Sequence, residues 1–186
     1  MMNKWLIASL LSFFLIGCTK PDTAVNTKTA DETPAVTQNE SDEQTLGITL
    51  EQFIDGVNHH LEQADVSFRL SEPKTDETVN PSVFRALVGE QFATVGQFDP
   101  KTRQLYSLII MFPSSEDPKD NMMAIANLVI CIAAATGTSD ESIAQLPIDE
   151  MLDMALKEGS AERKINGKTV NLALNKEIGF FVMVNP

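Results

Sequence analysis

The clearest periodic pattern in the chain lies between residues 50 and 63, where apolar residues recur at the spacing of one helical face. The apolar positions are Leu50, Phe53, Ile54, Val57 and Leu61. Thr49 precedes them and Gln52 follows three positions later, which is the spacing of a capping box at a helix start. The pattern therefore predicts an amphipathic helix over residues 50–63 that lies on a sheet.

Short apolar runs after this helix indicate β-strands. Three predicted strands cover residues 83–88, 91–98 and 105–112. Residues 67–70 are a shorter candidate strand, and residues 71–81 are predicted to form a polar loop. Asp99 and Pro100 supply the turn before the third long strand, since proline presets its backbone angle and aspartate can bond locally. That third strand is apolar except for a single serine, and a continuous apolar run predicts a central strand that is buried on both faces.

The middle of the chain is predicted to be helical. A helix runs from Asp117 to about Thr136, and Gly137 ends it. Its stretch 122–135 is apolar apart from Asn127 and is shorter than the roughly 20 residues that a membrane span needs. We therefore expect a core helix that is covered on most sides.

A second helical segment is predicted to start at Ser139 or Asp140 and to break at Pro147. It resumes through Lys157, and Gly159 is a typical stop signal. The apolar residues that share one face of this segment are Ile148, Met151, Leu152 and Ala155.

The last third of the chain predicts a β-hairpin and one further strand. Asn166-Gly167 is a strong turn signal and joins residues 161–165 to residues 168–174. Gly179 marks a bend before a strand over residues 180–184. Together the elements predict an α+β fold, with an antiparallel sheet of five or more strands and helices packed on one face.

The first 17 residues differ from the rest of the chain. Lys4 gives a positive start, and residues 5–16 form a 12-residue apolar stretch interrupted only by Ser9 and Ser12. This stretch is too short to cross a bilayer and has the length of a signal-peptide core.

Leu15-Ile16-Gly17-Cys18 overlaps the end of that core and resembles the lipobox of bacterial lipoproteins. The resemblance covers the first 18 residues and says nothing of the folded part. It implies cleavage between Gly17 and Cys18 and lipid, including a palmitate-type acyl chain, on Cys18. Two or three acyl chains hold a protein stably on a membrane. Thr19 in place of an aspartate implies the periplasmic side of the outer membrane if the cell is Gram-negative.

The lipobox resemblance and the composition together divide the chain into three regions. Residues 1–17 are the predicted lipoprotein signal peptide, and residues 18–46 are the lipidated cysteine and a tether. The tether has two prolines and no aromatic residue, so it is predicted to be disordered. Residues 47–186 form the predicted globular α+β domain.

Charge and cysteine content limit the possible partners. The net charge is −12, and removal of Lys4 with the signal peptide makes the mature chain one unit more negative. A surface of this charge disfavours nucleic acid and is compatible either with a basic protein partner or with solubility alone. With Cys18 lipidated, Cys131 has no disulfide partner in the chain and lies in an apolar run.

No motif in the sequence predicts a catalytic, cofactor or metal site. His59 and His60 are adjacent, so on a helix they point about 100° apart and are expected to lie on a solvated face rather than share a metal. Asn166-Gly167-Lys168-Thr169 resembles the end of a phosphate-binding loop, but Glu162 stands where that loop needs glycine. The acidic residues of the later helices are interpreted as helix-start charges; they are Asp140, Glu141, Asp149, Glu150 and Asp153.

The sequence favours two functions over a third. The first is a membrane-anchored, non-enzymatic protein-binding domain, with an inhibitor or immunity-type role against a basic protein as one version. The alternative is a carrier of lipid or another apolar ligand, with its site between the sheet and helix 117–136. A hydrolase without a visible motif is the least favoured.

Overall fold

The computed structural model describes residues 44–66, 69–89, 92–113, 115–175 and 179–186. The predicted signal peptide, the lipobox with Cys18 and the tether up to residue 43 lie outside these residues. One predicted boundary is wrong within them. Leu46, assigned to the tether, is buried in the core and its backbone N–H donates to the Leu105 carbonyl at 2.7 Å.

The described elements are three α-helices, one 3-10 helix and seven strands. In chain order they are α1 (Leu50–Gln63), β1 (Lys74–Asp76), β2 (Ser82–Val88), β3 (Phe92–Phe98), β4 (Leu105–Phe112), α2 (Pro118–Thr136), the 3-10 helix Asp140–Gln145, α3 (Ile148–Glu158), β5 (Ser160–Ile165), β6 (Lys168–Asn175) and β7 (Gly179–Asn185). The strands form one sheet in the order β1-β2-β3-β4-β7-β6-β5, and every neighbouring pair is antiparallel. The predicted α+β fold is confirmed.

Helix α1 forms for the reasons that its sequence indicates. The Thr49 hydroxyl accepts from the Gln52 N–H at 3.2 Å, and the Gln52 side chain accepts from the Thr49 N–H at 2.8 Å, which completes the capping box. The helix buries Phe53 against the Phe84 ring of β2, with the ring centroids 6.2 Å apart.

Two expectations about the strands need correction. The predicted polar loop 71–81 contains β1, a short exposed edge strand that pairs with β2. Strand β4 is central as predicted, with three strands on either side of it. However, from Leu108 onward only every second β4 residue is buried, so one of its faces is half-exposed. Of the short candidate at 67–70, Leu70 makes a single bridge to Val88, while residues 67 and 68 lie outside the described chain.

The Asp99 turn before β4 forms as predicted. The Asp99 carboxylate accepts hydrogen bonds from the backbone N–H groups of Thr102 at 2.7 Å and Lys101 at 2.8 Å. These two bonds, that of Thr102 first, hold the pKa of Asp99 below its ordinary value.

Helix α2 begins and ends at the predicted residues. Asp117 caps its start, Pro118 stands in its first turn, and Gly137 adopts a left-handed φ of 66° at its end. The predicted exclusion of a membrane span by length does not hold, because this 19-residue helix is long enough and has a mean hydropathy of 1.2. Burial supports the core-helix interpretation instead, since 56% of its most apolar window lies inside the fold.

The remaining elements match their predictions. Helix α3 buries its four predicted apolar residues and ends at Gly159, whose φ is 90°. The hairpin turns at Asn166-Gly167 and pairs β5 with β6, and β7 completes the sheet beside β4.

All the described helices pack on one side of the sheet. The buried strand residues that face them include Phe84, Phe98, Leu108, Ile110 and Val182. The intervening strand residues point to the opposite side, because side chains alternate along a strand. No described helix covers that side, which we call the open face.

Candidate functional site

The open face carries a continuous apolar patch that crosses the middle five strands. We call it the open-face patch; its residues are Leu87, Ala93, Val95, Ile109, Met111, Phe181, Met183 and Ala173. Cross-strand pairing arranges them in two rows. Leu87 is 47% exposed and the other seven are half-buried. A patch of this kind is typical of a surface that contacts another molecule.

Charged residues border the open-face patch at the two edges of the sheet. At one edge Lys74 pairs with Arg85 and Asp76 lies nearby on the same strand. At the other edge β5 presents Glu162 and Lys164. The open face is therefore close to neutral and carries both signs of charge at its rim.

A concavity of about 470 Å³ lies on this face, beside the β1 edge. Its lining includes Leu87, Ala93, Val95 and Met111 from the open-face patch, together with the charged residues Glu72, Lys74 and Arg85. The apolar-ligand site expected between the sheet and helix 117–136 is occupied by packed side chains; Leu128 and Ile132 of α2 are fully buried there. The concavity over Ala93 is thus the place where a bulky apolar group can enter.

The helices on the opposite side of the sheet are acidic. The four helical segments carry ten acidic and two basic residues, and all the acidic ones except Asp120 are exposed. The seven strands carry five basic and two acidic residues. Asp149 and Glu150 do lie in the first turn of α3, as predicted, where carboxylates favour the helix dipole.

The two histidines do not have the separate positions expected of adjacent helical residues. His59 Nε2 lies 3.0 Å from Asp140 Oδ2, and His60 Nδ1 lies 2.6 Å from Asp140 Oδ1. Both rings reach one carboxylate because His59 uses its distal nitrogen and His60 its proximal one. The expectation of a solvated pair is wrong for His60, whose side chain is only 9% exposed. We call these three residues the His-Asp cluster.

The backbone around the His-Asp cluster is positioned by close packing of two helices. Gly56 of α1 sits against Ala134 of α2, where an added Cβ would lie 3.3 Å from the Ala134 Cβ. After α2 the chain turns through left-handed Gly137, and the Thr138 N–H donates to the Ala133 carbonyl at 2.9 Å. This helix end directs the chain back toward α1 and places Asp140 beside the histidines.

Asp140 is ionised in this arrangement. The hydrogen bond from His59, followed by that from His60, lowers the pKa of the Asp140 carboxyl from its ordinary value. A carboxylate between two imidazoles presents one oxygen and two nitrogens as ligands, and the three ligand atoms lie within 4.8 Å of one another.

The other residues considered from the sequence have structural roles. Cys131 is buried, and desolvation raises the pKa of its thiol to about 12, so it is not a nucleophile. The Asn166 amide and the Lys168 ammonium each donate to the Thr136 carbonyl at 3.3 Å. The segment that resembles a phosphate loop therefore caps the end of α2.

The chain matches no protein-family model, and neither a curated protein nor a solved structure matches it.

Proposed function

We propose that the chain is a lipid-anchored envelope protein whose body is a non-enzymatic protein-binding domain, and that the open face is its principal binding surface. The observation that carries the proposal is the open-face patch, which leaves eight apolar side chains partly exposed on an otherwise well-packed domain. We assign this surface to a second copy of the chain.

Self-association is favoured by the symmetry of the open face about β4, the fourth of seven strands. In a dimer whose two-fold axis runs along β4, β3 of one copy faces β7 of the other copy. In the same way β2 faces β6, and β1 faces β5. Phe181 of one copy then meets Ala93 of its partner, and Leu87 meets Ala173. A large side chain opposes a small one in both pairs, and the Phe181 ring of one copy enters the concavity over Ala93 of the other.

The charged rim is complementary under the same operation. Lys74 at one edge faces Glu162 of the other copy, and Asp76 faces Lys164, because the outermost strands β1 and β5 exchange places. Long side chains can reach across the rotation of about 30° that aligned sheets adopt. The acidic helices point away from the interface, so they do not oppose its formation.

The area of the open face is sufficient for such a dimer. Seven strands spaced by ~4.8 Å span roughly 29 Å, and strands of about seven residues are roughly 23 Å long. The flat area is on the order of 600 Å² per copy, close to the ~800 Å² per partner of a standard interface.

Sedimentation equilibrium of the purified full chain tests the proposal, and we expect twice the monomer mass. Met111→Cys places a thiol on the two-fold axis, where it should react with its own copy across the interface through a short bis-maleimide. A disulfide would not reach, since facing sheets lie ~10 Å apart. Asn171→Cys, off the axis, serves as the control and should not react with itself. A monomer that carries an apolar ligand in native mass spectrometry would refute the dimer and favour the carrier alternative.

Membrane attachment is proposed to depend on Cys18. We expect Cys18→Ser to abolish incorporation of a palmitate analogue and to move the chain from the membrane to the soluble fraction. Cys131→Ala is the matched control, because Cys131 is buried, and it should leave both properties unchanged. Lipid labelling of the Cys18→Ser chain would contradict the assignment.

A second candidate function follows from the acidic helices, which the proposed dimer leaves accessible. It is the binding of a basic envelope protein, and the observation that favours it is the concentration of exposed carboxylates on one side of the sheet, together with exposed apolar residues on the same helices. The latter are Met122, Met123 and Leu156. Methionine is enriched at protein interfaces.

Neutralisation of α3 tests this second function. We expect a chain with Asp149→Asn, Glu150→Gln and Asp153→Asn to lose a basic partner that the wild type captures from envelope extract. A control chain with the same charge change at three exposed positions outside the helices should retain that partner; these positions are Asp65, Glu72 and Glu77. Equal loss in both chains would show general charge attraction and would contradict a specific site.

A further inference from the structure

The His-Asp cluster has the donor set and accessibility of a metal site. Imidazole nitrogens with a carboxylate oxygen suit zinc and its neighbours among the divalent transition metals, whereas calcium and magnesium prefer oxygen alone. His60 is nine-tenths buried and therefore fixed, while His59 is 55% exposed and Asp140 is 45% exposed. One rigid and two adjustable ligands are thus held at the domain surface.

The ligand atoms are close enough for a metal ion to enter after the exposed side chains move. Ligands of a tetrahedral zinc ion at ~2.0–2.1 Å lie about 3.3 Å from one another. The two histidine nitrogens now lie 3.0 and 2.6 Å from the carboxylate oxygens, as hydrogen-bond partners. A single ion in place of the two hydrogen bonds needs these two separations to open slightly, and it needs the three ligand atoms, which lie within 4.8 Å of one another, to converge on one point. The exposed side chains of His59 and Asp140 can make that movement.

We propose that His59 Nε2, His60 Nδ1 and Asp140 bind one divalent transition-metal ion of the zinc class. Three protein ligands leave at least one coordination position for water or for a ligand from another molecule, as in zinc sites that stay open. The ion joins the end of α1 to the start of the 3-10 helix, two segments that are 80 residues apart along the chain. It therefore also stabilises the folded domain, because the unfolded chain does not bring the three ligands together.

Zinc binding by the purified full chain provides the direct test. Competition with a chromogenic chelator should give one Zn²⁺ per chain, and Zn²⁺ should raise the midpoint of thermal unfolding. His59→Ala removes an exposed ligand with little effect on packing. We expect it to weaken Zn²⁺ binding at least about 100-fold, because loss of a group that only supports a metal ligand already weakens binding by up to about 100-fold. Asp140→Asn should weaken it similarly while it keeps the shape of the side chain.

Glu141→Gln is the matched control, since Glu141 is an exposed acidic neighbour outside the cluster. It should bind Zn²⁺ as tightly as the wild type. Substitution with Co²⁺ adds a spectroscopic measurement, because ligation by two imidazoles gives visible absorption bands that should vanish in His59→Ala. Equal Zn²⁺ affinity in the wild type and His59→Ala, or equal weakening by Glu141→Gln, would show nonspecific attraction to the acidic helices and overturn the proposal. A wild type that binds no Zn²⁺ would reduce the cluster to a hydrogen-bonded contact.

Discussion

Gly96→Ala is expected to destabilise the domain by about 3 kcal/mol, at the upper end of the cost of overpacking a core. Gly96 lies in the middle of β3 and pairs with Phe84, whose fully buried ring covers the glycine Cα. A Cβ at this position would overlap the edge of that ring and would lie 2.9 Å from the Ser107 carbonyl oxygen. The ring cannot move away freely, because Phe53 of α1 packs against it.

The sign of this effect discriminates between local preference and packing. Alanine is favoured over glycine inside a strand by roughly 0.5–1 kcal/mol, so local preference alone predicts a more stable protein. Thermal unfolding measures the difference, and a loss of about 3 kcal/mol corresponds to roughly 10 °C in a domain of this size. In a Phe84→Leu background, which shortens the side chain, the same substitution should cost clearly less. A Gly96→Ala chain as stable as the wild type would show that the ring is not held as described.

The segments that form helices and strands could be predicted from sequence because their signals are local. The Thr49 capping box, Gly137 and the Asn166-Gly167 turn each determine backbone geometry within a few residues. Strand β1 was missed because its three residues are all exposed and show no alternation. Gly96 did carry a signal, since a glycine inside a strand often marks close approach of another group. The side chain involved could not be identified without the register of β2 and β3.

The open-face patch depends on information that no local pattern contains. Ile109 and Met111 made β4 resemble a strand buried on both sides, but apolar residues on a strand do not show whether a second layer covers them. That layer is missing because every described helix packs on the other face. The order of the strands, with β7 inserted between β4 and β6, brings Phe181 and Met183 beside this pair. Residues distant in sequence thus form one surface.

The His-Asp cluster was missed for a geometric reason. The 100° separation of adjacent helical residues describes their Cβ directions, not the atoms at the ends of their side chains. An imidazole has two nitrogens at different distances from the backbone, so His59 and His60 can meet at a third group between them. That group, Asp140, is 80 residues away from His60 along the chain. Its position depends on the packing of α1 against the end of α2.

Ile109→Lys is expected to weaken the proposed dimer at least about 100-fold. Ile109 lies on β4 at the centre of the open-face patch, where the two-fold axis places it opposite its own copy. Two lysines would meet there in an apolar surrounding, and like charges opposed across an interface cost several kcal/mol. The monomer should remain folded, because Ile109 is only half-buried and the lysine stem can lie along the sheet. Sedimentation at a series of concentrations measures the loss, and circular dichroism checks the fold.

Gln97→Lys adds the same charge to the open face outside the patch and should change dimer affinity only a few-fold.

The orientation of the two copies is tested by exchanging charges at the rim. Lys74→Glu and Glu162→Lys should each weaken the dimer, since each places like charges opposite one another, and the double variant should recover the lost affinity. Additive weakening in the double variant would exclude an axis along β4. A dimer that tolerates Ile109→Lys would show that the copies meet through a different surface, and the open-face patch would then need another occupant.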